Sequence, residues 1–103
     1  MKGFGNIMKE AQKLQAQLEA MKDEVGRREV EASAGGGMVT VKANGNQEIL
    51  SLKIDPEVIN PNDAQMLEDL ILAATNEALR RAREMLSAEM GKLAGGLKIP
   101  GLT

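Results

Sequence analysis

The chain has no cysteine, no histidine, no tyrosine and no tryptophan, and Phe4 is its single aromatic residue. Without cysteine there is no disulfide staple and no thiolate metal site. That usage fits a reducing cytosol. Without histidine, the commonest acid–base group at neutral pH is missing, and no Ser–His or Cys–His pair can be assembled. The serines, Ser33, Ser51 and Ser87, fall in no nucleophile-elbow pattern. Carboxylates are plentiful but scattered, as on solvated faces. No enzyme, cofactor, metal or small-molecule substrate is therefore expected. No apolar run approaches the roughly 18 residues of a membrane span. The start, MKGFGNIMKEA, has no h-region of a signal peptide. A cytoplasmic protein that does not engage a membrane is the expectation. With one aromatic residue, single-strand binding by base stacking is not expected either.

The 103 residues suit one domain, and a chain this short buries a modest fraction of its surface alone. Its core must come from Leu, Ile, Val, Ala and seven Met. The net charge of −2 does not by itself select nucleic acid as a partner.

What is present is periodic. From Ile7 to Val25 the apolar residues Ile7, Ala11, Leu14, Leu18, Met21 and Val25 recur at steps of four and three. This is a helix with one narrow seam, with Ala11, Leu18 and Val25 at a positions and Ile7, Leu14 and Met21 at d. The helix is expected from about Asn6, as its cap, to Val25, with Gly26 ending it and Met1 to Gly5 loose. Three strands of period two follow: REVEAS (Val30, Ala32), MVTVKA (Val39, Val41, Ala43) and EILSLKI (Leu50, Leu52, Ile54). AGGG, Ala34 to Gly37, links the first two, and NGN, Asn44 to Asn46, links the others. AGGG lacks the GK[ST] ending of a phosphate cradle and precedes a strand, so it reads as a turn. A two-residue loop of Gly45 and Asn46 would set Val41 against Leu50 and Val39 against Leu52, leaving Ile49 on the polar face. After the proline-containing link DPEVINPND, Asn62 is the expected cap of a second helix, with Gln65 three residues on. That helix is expected to about Met90, its apolar side carrying Leu67, Leu70, Ile71, Ala74, Ala78, Ala82, Met85 and Leu86. The fold class is α+β: helix, three-stranded antiparallel sheet, helix. Residues 1–90 form the domain. Residues 91–103 are a Gly-rich tail that still carries Leu93, Leu97, Ile99 and Leu102.

Sizes argue for a second copy. A helix of about 28 residues is about 42 Å long, while a six-residue strand reaches about 20 Å. The helices must overhang the sheet, and their apolar stripes continue into the overhang. A homodimer is the simplest cover.

Five segments, NIMKEAQKLQ, AGGGMVTVKANG, LKIDPEVI, MLEDLILAATNEALRRA and LKIPG, occur in an order and at spacings that resemble the YbaB/EbfC family of bacterial nucleoid-associated proteins. The resemblance spans nearly the whole chain. It implies a tweezers-like homodimer whose helices project from a joined sheet body. It also implies binding to duplex DNA with little sequence preference, and a role in nucleoid organisation and gene expression. The NIMKEAQK match offers Lys9 and Lys13 as phosphate contacts, and NEALRRA offers Arg80 and Arg81. Arg83 and Lys92 join by proximity, and Lys22, Arg27 and Arg28 are weaker candidates. The plainer reading of these cations is a solvated face laced with i,i+4 pairs, because Glu77, Glu84 and Glu89 alternate with them. The competing function is a non-enzymatic interaction or scaffold dimer, using the apolar tail, Met8 and Ile49.

Overall fold

A 3.6-residue period needs no capping side chain to propagate once a helix has started, and the first helix begins earlier than its pattern requires. In the computed structural model, which describes residues 2–95 and, of residue 2, the backbone only, α1 is Lys2–Arg27. Gly3 and Gly5 are inside it, so Asn6 is not its cap. β1 (Glu29–Ala34), β2 (Val39–Asn44) and β3 (Ile49–Ile54) form one antiparallel sheet in the order β1-β2-β3. A short 3-10 turn, Pro56–Val58, leads to α2, Ala64–Gly95.

The α2 cap is Asp63 rather than Asn62: its Oδ1 accepts from the Met66 backbone N–H at 3.2 Å. Asn62 instead donates its own N–H to Asn60 Oδ1 at 3.0 Å, a local turn that sets up the helix start. α2 also runs five residues past Met90. Lys92, Leu93 and Ala94 are good helix formers, and Leu93 is half-buried, which outweighs two glycines.

The β2–β3 connection is neither the expected two-residue loop of Gly45 and Asn46 nor a four-residue loop from Asn44 to Gln47, which would give the same register. Asn44 N–H donates to the Glu48 carbonyl at 3.0 Å and Gln47 N–H to the Asn44 carbonyl at 2.9 Å. Gln47 has φ of 61°. This is a three-residue loop, a turn closed by a residue in the left-handed region. Asn44 Oδ1 fixes it by accepting from the N–H groups of Asn46 and Glu48. The odd loop length forces a compensating bulge between Lys42 and Ala43. The register is therefore Val39 opposite Ile54 and Val41 opposite Leu52, two residues from the expected one, with the apolar faces still matched. Past the bulge Ile49 pairs with Ala43, which moves it off the face of Lys42. A left-handed Gln costs about 1–2 kcal/mol. Gln47→Gly is expected to raise stability by about 0.5–1 kcal/mol after the entropy of the freer unfolded chain is deducted, read as a shift in the denaturation midpoint.

The β1–β2 turn uses its glycines fully: Gly35, Gly36 and Gly37 have φ of 65°, 66° and 92°.

α2 lies across β1 and β2. Ala74, Ala78 and Ala82, spaced by four, are completely buried, the first two against Ala32, Val39, Val41 and Ala43. Small side chains at that spacing let the helix axis approach the sheet. The largest fully buried side chains are valines, Val25, Val39 and Val41. Among the described residues no helix packs over β3, and Leu50 and Leu52 are 48% and 47% exposed. Its expected apolar face exists but is uncovered.

α2 runs antiparallel to β1: Leu70 lies by Gly35, Arg81 by Glu31 and Glu89 by Arg28. α1 enters the sheet at the Arg28 end, so α1 and the last turns of α2 run antiparallel beside each other. The α1 seam passes from water to core along its length. Ile7 and Ala11 are exposed, Leu14, Leu18 and Met21 are half-buried, and Val25 is buried. Its C-terminal half thus packs within the chain, and its N-terminal half projects. The radius of gyration is 20.3 Å, against about 13 Å for a compact chain of this length. The molecule measures 74 × 24 × 16 Å.

Candidate nucleic-acid interface

Lys9 and Lys13 are one helical turn apart on α1, on the side away from the seam, and both are exposed. Among the described residues no carboxylate lies within 4 Å of either ammonium group. They sit on the projecting half of the helix, where the body does not limit approach.

The arginines of α2 are held differently. Arg80 lies between two carboxylates: its Nε donates to Glu77 Oε2 at 2.9 Å and its Nη1 bonds Glu84. Arg81 donates Nε to Glu77 Oε1 at 3.1 Å and Nη1 to the Glu31 backbone carbonyl at 2.6 Å. It therefore ties α2 to the outer strand of the sheet. Lys92 pairs with Glu89 at 3.1 Å, and the same carboxylate takes Arg28 at 3.1 Å. Arg83 is exposed and has no ion pair among the described residues.

The six candidate cations are therefore not one patch. Among the described residues Lys9, Lys13 and Arg83 have no ion pair, whereas Arg80, Arg81 and Lys92 are paired with neighbouring carboxylates. Arg28 is a clamp: it joins Glu24 of α1 to Glu89 of α2. The i,i+4 spacing from Glu24 carried part of that signal; the link to Glu89, 61 residues away, did not show in the sequence. Two cations absent from the sequence candidates, Lys42 and Lys53, lie on the open side of the sheet. With Thr40, Ser51 and Glu31 they line a shallow cup of about 430 Å³.

The Arg80 and Arg81 hydrogen bonds pull the Glu77 pKa down from 4.5 to about 2. Glu89 is likewise held below its usual value, by Arg28 first and Lys92 second. Arg80 is raised, chiefly through its bond to Glu77. Because the Glu77 pKa is depressed on folding, its contribution to stability is complete above pH 4.5 and is lost as pH falls towards 2. Glu77→Gln is expected to lower the denaturation midpoint at pH 7 and to flatten its decline between pH 4.5 and 2. Urea titrations at pH 7, 4.5 and 2.5 would test this; equal declines in both proteins would contradict it.

Among the described residues no cluster of acidic side chains could hold a metal ion, and no helix is long and apolar enough to cross a membrane. What the surface offers is cations on extended helices, a means of meeting a phosphate backbone by charge.

A helix–sheet–helix rod with unpaired lysines on a projecting helix defines a binding module more readily than a container for chemistry. Residues 1–97 match the model of the YbaB/EbfC DNA-binding family, and the chain belongs to that family. A nucleoid-associated protein of Alkaliphilus metalliredigens is 55% identical over 99 residues, covering 96% of this chain and 87% of that protein. One from Clostridium novyi is 56% identical over 99 residues, with the same coverage. An uncharacterised Helicobacter pylori protein of known crystal structure shares the fold, with a TM-score of 0.79 at 20% identity, covering 89% of this chain and 97% of that one.

Proposed function

We propose that the chain works as a homodimer that binds duplex DNA through its phosphates, with little sequence preference, and so helps organise the nucleoid and influence gene expression. The carrying observation is the pair of unpaired lysines, Lys9 and Lys13, on a helix that leaves the body. The relatives' description as nucleoid-associated proteins supports the same location and role. Lys9, Lys13 and Arg83 are the leading phosphate contacts. Arg80, Arg81 and Lys92 are weaker ones, since each must share its charge with a carboxylate.

The homodimer rests on the bare β3 face. Leu50 and Leu52 expose apolar area that water penalises at about 25 cal/mol per Å². A second copy brings an identical face and is the simplest cover. Two projecting α1 helices would then flank the duplex, each presenting one lysine pair.

A fluorescence titration of random duplex DNA across a salt series, with the solution mass measured alongside, tests the reading. Log affinity should fall linearly with log salt, on a species of twice the chain mass. Affinity indifferent to salt, or a monomer at micromolar concentration, would contradict it. The exposed side chains of Met8 and Ile49 favour a second reading, a scaffold that docks proteins. No DNA binding at low salt, with a protein partner captured on those two residues, would support that one.

A further inference from the structure

The side of the sheet turned away from α2 carries four polar side chains in one cell. Thr40 of β2 stands opposite Lys53 of β3, and Lys42 stands opposite Ser51. Residues two apart on a strand share a face. The two ammonium groups therefore occupy one diagonal of the cell and the two hydroxyls the other, with diagonal neighbours about 7–8 Å apart. The observed register is what builds this cell. A two-residue loop would have set Lys42 opposite Ile49 and Lys53 opposite Met38, four positions apart along the sheet rather than two. The bulge between Lys42 and Ala43 borders the cell. Glu31 of β1 stands opposite Lys42 and lines the same cup. Even so, among the described residues no carboxylate comes within 4 Å of Lys42 or Lys53. Two like charges on a sheet diagonal, with no counter-ion from the chain, are a place for an anion to sit.

We propose that this cell is a second phosphate-contacting surface, which takes one phosphodiester of duplex DNA; the proposal rests on the DNA-binding reading. Its chemistry fits an oxyanion, since Lys42, Lys53, Thr40 and Ser51 all offer N–H or O–H donors. Its charge fits a diester. Two ammonium groups and the Glu31 carboxylate leave a single positive charge, which one phosphodiester balances. A phosphomonoester carries about −1.5 to −2 at neutral pH, more than the cell offers. A free nucleotide would find no aromatic side chain in the cell to hold its base. Leu52 alternates with Ser51 and Lys53, so a second copy seated on the bare β3 face leaves the cell in water. The cell is also distinct from the helix site. β1 begins at Glu29, opposite Asn44, just after α1 ends at Arg27. From Arg27 to Lys13 is about 21 Å along α1. The sheet lysines and the helix lysines therefore meet different phosphates, and their effects on binding add.

The test is a titration of random duplex DNA across a salt series with the full chain. Lys42→Gln/Lys53→Gln should flatten the slope of log affinity against log salt by about 2, for one phosphate on each of two chains. Thr40→Val/Ser51→Ala should weaken binding about threefold at an unchanged slope, because a hydroxyl donates a hydrogen bond but releases no counter-ion. Glu31→Gln, which removes the one carboxylate of the cup, should tighten binding about two- to fivefold. The unsubstituted protein supplies an independent reading. Duplex DNA should shift the backbone amide resonances of Thr40, Lys42, Ser51 and Lys53, and inorganic phosphate at the same phosphate concentration and ionic strength should not. An unchanged slope in the lysine variant, beside a salt-dependent parent, would overturn the proposal and leave the DNA-binding reading standing. Weaker binding by Glu31→Gln, or inorganic phosphate shifting those amides as far as the duplex does, would overturn it in the same way. A parent that binds no duplex even at low salt would remove both.

Discussion

Gly45→Ala is expected to remove about 3 kcal/mol or more of folding stability. A β-carbon at Gly45 would stand 2.1 Å from the Val25 carbonyl oxygen and 2.6 Å from its carbon. Both are backbone atoms, at the last turn of α1, so neither can rotate aside. The same glycine donates its N–H to the Arg28 carbonyl at 3.1 Å. Relief therefore requires separating α1 from the β2–β3 hairpin, which would also uncover Val25. Gly26→Ala is the control. The nearest atoms to its β-carbon would be those of the Asn46 side-chain amide, from 2.5 Å, and that exposed residue's side chain can swing away. The helix gains about 1 kcal/mol in propensity, so the net change should be within about 1 kcal/mol. Denaturant titration of the two variants separates the effects. Equal losses would mean that backbone contact is not what Gly45 preserves.

Lys9→Ala/Lys13→Ala is expected to flatten the slope of log affinity against log salt by about 3 to 4. Two lysines on each of two chains make four phosphate contacts, each worth about 0.9 of slope. Arg80→Ala/Arg81→Ala should flatten it less, because Glu77 and Glu84 already absorb part of that charge. The arginine variant should instead lose stability, since Arg81 also holds the Glu31 carbonyl. Duplex titrations at four salt concentrations would decide the order. A larger slope change from the arginine pair would move the binding surface from α1 to α2.

The helices and the apolar alternation of the strands were legible in the sequence, because those signals are local and periodic. The resemblance to the family was legible too, and the family match bears it out. The hairpin register was not. It turned on Gln47 taking a left-handed φ, which its residue type does not advertise, and on a bulge that restores the face matching. Gly45 looked like a turn residue, but its demand is close approach to a helix distant in sequence. The state of each cation was half legible. Glu77, Arg80, Arg81 and Glu84 lie within about two turns, and their i,i+3 and i,i+4 pairing follows from spacing. The Arg81 bond to Glu31 and the Arg28 bond to Glu89 depend on how α2 crosses the sheet. The positions of Leu97, Ile99 and Leu102 lie outside the described residues.

The two borders of the sheet are unequal. On β1 the Glu31 carbonyl is already occupied by the chain's own guanidinium, from Arg81, while β3 ends the sheet on its other side. Polymerisation by strand addition needs an acceptor at both ends of every unit. With one of its carbonyls already taken, the β1 border is the poorer of the two templates for an added strand. This geometry works against fibrils, even in a molecule that leaves so much aliphatic surface in water.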